Sequence, residues 1–192
     1  MQLLTTTDSF FFSSFFNSYY ELVSCKLKNV NNEDLFKASS ILAKAGKRSS
    51  KIILAGNGGS AAIASHVSID FTKAVGIRSI NFNESSLLTC FSNDYGYDQW
   101  LSKAIEFYAD ENDVVILISS SGQSKNIVNG AKQALSMDLP VITLSGFSKN
   151  NNLKKLGSVN LWVDSLEYNI VESVHQVWLL SMVEHLIDNK RG

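Results

Sequence analysis

Several common classes of chemistry are missing from this sequence. Its two cysteines, Cys25 and Cys90, are too few for a disulfide framework. They are expected as buried free thiols in a reducing cytoplasm. The net charge is only −1, so no broad positive field invites nucleic acid. No apolar stretch reaches the ~20 residues that a membrane span needs. There is one proline, and 14 of the 17 cationic side chains are lysine. Cold adaptation and an AT-rich genome both produce that bias. No repeat and no low-complexity linker interrupts the 192 residues, a length that suits one domain with a substantial core.

What is present is apolar residue in ordinary amount, 45%, with 18% charged. The N-terminal SFFFSSFFNSYY is unusually aromatic. It lacks a basic n-region and a small-residue cleavage site, so it does not read as a signal peptide. Phe12, Phe15, Phe16, Tyr19 and Val23 fall at helical spacing, with Asp8 or Ser9 as the expected cap. Such a helix buries its aromatic side either within the chain or in a subunit interface.

The chain then divides into helical and apolar segments. Helices are expected near 9–28 and 33–45, the second capped by Asn31 or Asn32 and ended by Gly46. From there strands and helices alternate. KIILAG (51–56), RSINF (78–82), VVILIS (114–119), PVITLSG (140–146) and VNLWVD (159–164) read as strands. Residues 60–74, ESSLLTCFSN, DQWLSKAIEFYA, 124–136 and about 169–188 read as helices. Continuous apolar strands alternating with helices predict a three-layer αβα sandwich on a five-stranded parallel sheet. The expected organisation is a single domain over 1–192, with a helical extension over about 1–47. Ligands of such folds sit beyond the carboxyl ends of the strands.

Two loops at those ends stand out. AGNGGSAAIASH (55–66) turns on glycines 56, 58 and 59 and opens a helix at Ser60. It has neither the lysine of a P-loop nor the spacing of a dinucleotide fingerprint. SSSGQS follows the VVILI strand and opens the next helix. A helix N-terminus carries free N–H groups and partial positive charge, and binds phosphate without a cation. Ser119, Ser121 and Ser124 are candidate grips for that phosphate, with backbone from Ser120 and Gly122. Serines also cap helices for structural reasons alone, but four hydroxyls in six residues exceed what a cap needs.

GNGGSA, NDYGY (93–97), ISSSGQS and VESVH (171–175), in this order, resemble the sugar isomerase (SIS) domain family. Within it they are most similar to the phosphoheptose isomerases. That resemblance implies interconversion of sedoheptulose 7-phosphate and D-glycero-D-manno-heptose 7-phosphate, feeding lipopolysaccharide or capsule synthesis in a bacterial cytoplasm. It implies phosphate contacts at Ser119, Ser120, Ser121 and Ser124, a glycine-turn serine at Ser60, and Asn57 beside the sugar. It implies a site aspartate at Asp94. It also implies a homotetramer with sites shared between subunits, N-terminal helices in a central bundle, and zinc.

The resemblance further places a metal ligand and a catalytic carboxylate at His66 and Asp70, at i and i+4 on one helix. Asp70 stands where the family usually has glutamate. On the last helix the family's polar positions fall on Glu172, His175 and Leu180, and leucine replaces a histidine there. Asp70 is then the expected general base, His66 the acid or metal ligand, and Glu172 the third catalytic group and zinc ligand. His185 is expected at the surface. The alternatives are an isomerase of a different phosphosugar, used in capsule or lipopolysaccharide synthesis, and a non-catalytic phosphosugar-binding module, like the relative that binds the bacterial replication initiator.

Overall fold

The computed structural model describes residues 6–191, with side chains from 14 to 190. Two helices, α1 (Thr6–Lys28) and α2 (Asn32–Lys47), precede an alternating unit. That unit contains β1 (Ile52–Gly56), α3 (Gly59–Asp70), β2 (Ser79–Asn81), α4 (Ser85–Tyr95), α5 (Trp100–Tyr108), β3 (Val114–Ser119), α6 (Lys125–Ser136), β4 (Val141–Ser145), β5 (Val159–Trp162) and α7 (Tyr168–Arg191). All strand pairs are parallel, in the order β2-β1-β3-β4-β5. The expected three-layer sandwich is therefore found. Among the described residues no helix is long and apolar enough to cross a membrane.

The central strands are buried on both faces, as their unbroken apolar runs require. Ile52, Leu54, Ile116 and Ile118 face one core with Leu42, Val67, Phe71, Val174 and Leu179. Ile53, Ala55, Val115 and Leu117 face the other, with Trp100, Leu101, Ile105, Ile127 and Ala131. Period-two alternation in the strands thus meets period-3.6 stripes of α2, α3 and α7 on one side and of α5 and α6 on the other. The indole of Trp178 donates to the Leu27 carbonyl at 3.1 Å, tying α1 to α7.

Some local expectations are corrected. Asp8 and Ser9 lie inside α1, which is helical from Thr6, and their side chains fall outside those described, as does that of Phe12. Asn31 is the cap of α2, accepting from the Glu33 amide at 3.0 Å. Gly46 does not end that helix, which continues through Lys47. Ser49 takes the left-handed turn at φ 57°. The glycine is needed because a β-carbon there would sit 2.9 Å from the Ile77 side chain. Cys25 and Cys90 are exposed rather than buried. Cys90 lies on α4, which buries none of its residues. His185 is at the surface, as expected.

The helix expected over 60–74 changes character at Asp70. α3 ends there, and Phe71–Val75 form a single π-helical turn closed by left-handed Gly76. Such turns are often found at functional sites.

Candidate functional site

The carboxyl ends of β1 and β3 open into a cleft of about 290 Å³. It is lined by the glycine turn after β1, by the serine loop after β3, and by Tyr168 and Glu172 of α7. The two loops singled out from sequence therefore converge, because their strands are hydrogen-bonded neighbours.

The serine loop is built for more than capping. Gly122 turns the chain at φ 63°, and the Asn151 side chain fills the space where a β-carbon would project. Asn151 is fully buried. Its amide donates to the Ser145 hydroxyl at 3.0 Å and to the Ser148 carbonyl at 2.9 Å. The Ser120 carbonyl accepts from the Gly146 amide at 2.8 Å, locking the loop to the end of β4. This leaves the start of α6 facing the cleft.

Ser124 occupies the N-cap of α6, yet its side chain makes no capping bond. Its hydroxyl meets only Ser119 Oγ, at 3.3 Å. The amides that begin α6 thus get no help from the residue placed to serve them, which is the state of a helix terminus that receives an anion. Ser121 Oγ accepts from the Gln123 amide at 3.2 Å. Ser120 was expected to offer its backbone. It lines the cleft, but its hydroxyl is shut off from solvent without a partner, so only its backbone is available to a ligand.

Asn57 and buried Asn126 exchange amide hydrogen bonds at 3.0 and 2.8 Å, which fixes both side chains. The Tyr97 hydroxyl also donates to Asn57 Oδ1 at 3.3 Å. Asp94 is not brought to the cleft in a single chain. It is exposed on α4, where its carboxylate accepts from Asn93 at 2.9 Å. Within NDYGY it is Tyr97 that reaches the site, a placement that motif matching does not reveal. Ser60 lines the cleft as expected and is buried.

His66 and Asp70 pair across one turn of α3, with Nε2 to Oδ2 at 3.3 Å. They lie beyond the cleft lining, with His66 facing α7. Glu172 packs its carboxylate against Gly59, where a β-carbon would overlap it. His66 sits seven residues further along α3, roughly 10 Å at 1.5 Å per residue. The glycine turn and the His66–Asp70 pair are therefore separated along the same helix.

The donor types of His66, Asp70 and Glu172 suit zinc, but the expected trio is not assembled. Among the described residues no three His, Cys, Asp or Glu side chains are grouped to hold a metal ion. Only His66 and Asp70 are adjacent, and a single chain does not fit a zinc site. His175 is also no site residue. It is fully buried, with Nε2 3.1 Å from the Ser145 carbonyl and Nδ1 without a partner. Burial drives its pKa down to about 4, only partly opposed by the bond to Ser145. Leu180 is half-buried and packs against the core.

A SIS domain family model matches residues 15–146. The phosphoheptose isomerase of Aliarcobacter butzleri is 33% identical over 171 residues, covering 86% of this chain and 89% of that protein. A probable phosphoheptose isomerase of Thermoplasma acidophilum is 34% identical over 169 residues, with 84% and 91% covered. The solved phosphoheptose isomerase from Neisseria gonorrhoeae superposes with a TM-score of 0.81 at 27% identity, over 91% of this chain and 96% of that one.

Proposed function

The chain belongs to the SIS domain family and, within it, to the phosphoheptose isomerases, and from that premise we propose that it interconverts sedoheptulose 7-phosphate and D-glycero-D-manno-heptose 7-phosphate. The product is a precursor of lipopolysaccharide or capsule heptose. The observation that carries the substrate class is the α6 terminus, where Ser124 stands at the cap position, makes no capping bond and meets only the Ser119 hydroxyl. The amides of α6 and the hydroxyls of Ser119, Ser121 and Ser124 receive the phosphate.

The reacting carbons lie at the opposite end of the sugar from the phosphate. The chemistry must then sit away from the serine loop, and the His66–Asp70 pair lies outside the cleft that this loop lines. Asp70 is the base that takes the proton from the carbon beside the carbonyl, giving an enediol, and returns it to the neighbouring carbon. His66 holds Asp70 Oδ2 through Nε2 and leaves Oδ1 for the proton. Asn57 and Tyr97 order the sugar-facing side of the cleft. No step is assigned to zinc, which one chain does not fit.

The assembly we propose is a homotetramer in the cytoplasm. Phe15, Phe16 and Tyr20 of α1 are 60%, 50% and 62% exposed in the single chain, and a bundle of such helices covers them. Leu180 favours a second reading, a phosphosugar-binding module without turnover. The experiment that separates the two is turnover of sedoheptulose 7-phosphate by purified protein, with zinc and with chelator, beside calorimetric binding of the same sugar. Turnover establishes the isomerase. Binding without turnover under either condition establishes the binding module.

A further inference from the structure

The side chain of α7 that reaches His66 lies between Glu172 and Leu180. Gln176 Nε2 is 2.8 Å from His66 Nδ1, across 110 residues of sequence. It is one helical turn beyond Glu172, on the adjoining part of the same face. Its amide is a donor, so Nδ1 accepts and the ring proton sits on Nε2. That nitrogen is the one that faces Asp70 Oδ2 at 3.3 Å. With the amide turned over, Nδ1 carries the proton, and a bare Nε2 meets a carboxylate oxygen. Only the first arrangement of a neutral ring satisfies both partners.

We propose that Gln176 is a positioning residue of the isomerase: through His66 it orients the Asp70 carboxylate. The inference rests on the reading of Asp70 as the base. A three-membered chain runs from Gln176 through His66 to Asp70, and it crosses from one helix to the other. Its role is geometric. A base on a short aspartate side chain has little slack, and misplacement by ~1 Å costs on the order of 100-fold in rate. A ring held at both nitrogens cannot rotate about χ2 without breaking a bond.

The test uses Gln176→Leu and Gln176→Glu in the full-length protein. Leucine fills space without donating. Glutamate keeps the length but only accepts, so it favours a proton on Nδ1. A merely structural Gln176 is served by either. The first readout is the ¹⁵N spectrum of the imidazole rings, which is tractable with three histidines. Wild type is expected to show His66 as the Nε2–H tautomer, and Gln176→Glu to lose that signature. The second readout is kinetic: kcat falls about tenfold or more in both variants while KM stays within about twofold. His66 resonances and kcat that are unchanged in both variants, with an active wild type, overturn the proposal alone. A wild type that turns over no phosphoheptose overturns the functional reading. The spectra then still report whether Gln176 holds His66.

Discussion

Gly59 and Glu172 share one small volume: a β-carbon on Gly59 would overlap the Glu172 carboxylate. The first residue of α3 is thereby matched to the second turn of α7. Gly59 is helical, and alanine there suffers no backbone strain. Gly59→Ala is expected to leave the melting temperature unchanged or slightly raised, since alanine is favoured over glycine in helices by about 0.5–1 kcal/mol. The added methyl pushes Glu172 out of place, so turnover is expected to fall at least tenfold. Thermal unfolding and steady-state kinetics on one preparation check both halves.

Ser124→Ala separates a ligand role from a capping role. Removal of a true cap costs about 1 kcal/mol of stability. Ser124 makes no capping bond, so the variant is expected to unfold within a few tenths of a kcal/mol of wild type. A hydrogen bond to a charged group contributes about 1.5–3 kcal/mol, so sugar-phosphate affinity is expected to drop roughly 10- to 100-fold. Calorimetry with sedoheptulose 7-phosphate and with inorganic phosphate reads this directly. Lost stability with intact affinity returns the serine to a structural role.

Asp70→Asn keeps size and shape and removes the base. Turnover is expected to fall by 10²- to 10⁴-fold, the usual contribution of general base catalysis. Binding is expected to stay within about threefold, because Asp70 lies outside the phosphate cleft. Unchanged turnover would remove Asp70 from the mechanism.

His175 predicts an acid-sensitive fold. Burial lowers its pKa from 6.5 to about 4. Between those values the unfolded chain binds a proton that the folded chain refuses. Stability therefore falls as pH drops through that window, by about 3 kcal/mol in all at about 1.4 kcal/mol per pH unit. Urea unfolding at pH 7.5 and pH 4.5 checks this. His175→Gln is expected to be less stable at neutral pH but to show a flatter profile. Equal slopes in both proteins would assign the acid sensitivity to other groups.

Much of the site was legible because it is local. The SSSGQS loop carries its own strand, turn, hydroxyls and helix start within a dozen residues, so neighbours along the chain fix its form. Strand β3 was read to its exact ends because six buried apolar or small residues in a row fit little else. Gly46 misled because a glycine near a helix end suits two different needs. One is a left-handed turn, and the other is close approach, here to Ile77. Within NDYGY, helix α4 carries Asp94 outward, and only the turn after it aims Tyr97 at Asn57. The exposure of Cys25 and Cys90 was hidden for a similar reason, since composition says nothing about which side of a helix meets the core.

The sequence by itself determined the elements, their parallel sheet and the chemistry of the loops, since periodicity and turn residues act over a few neighbours. Only the tertiary structure decided which side chains of α3 and α7 meet. The residues that meet are more than 100 positions apart, and the register of the two helices is set by the core residues Val67, Phe71, Val174 and Leu179 that seat both on one face of the sheet. That register puts Glu172 against Gly59 and Gln176 against His66, and packs half-buried Leu180 against the core. No spacing in the chain encodes those contacts, because the packing of two surfaces, rather than either strip of sequence, selects them.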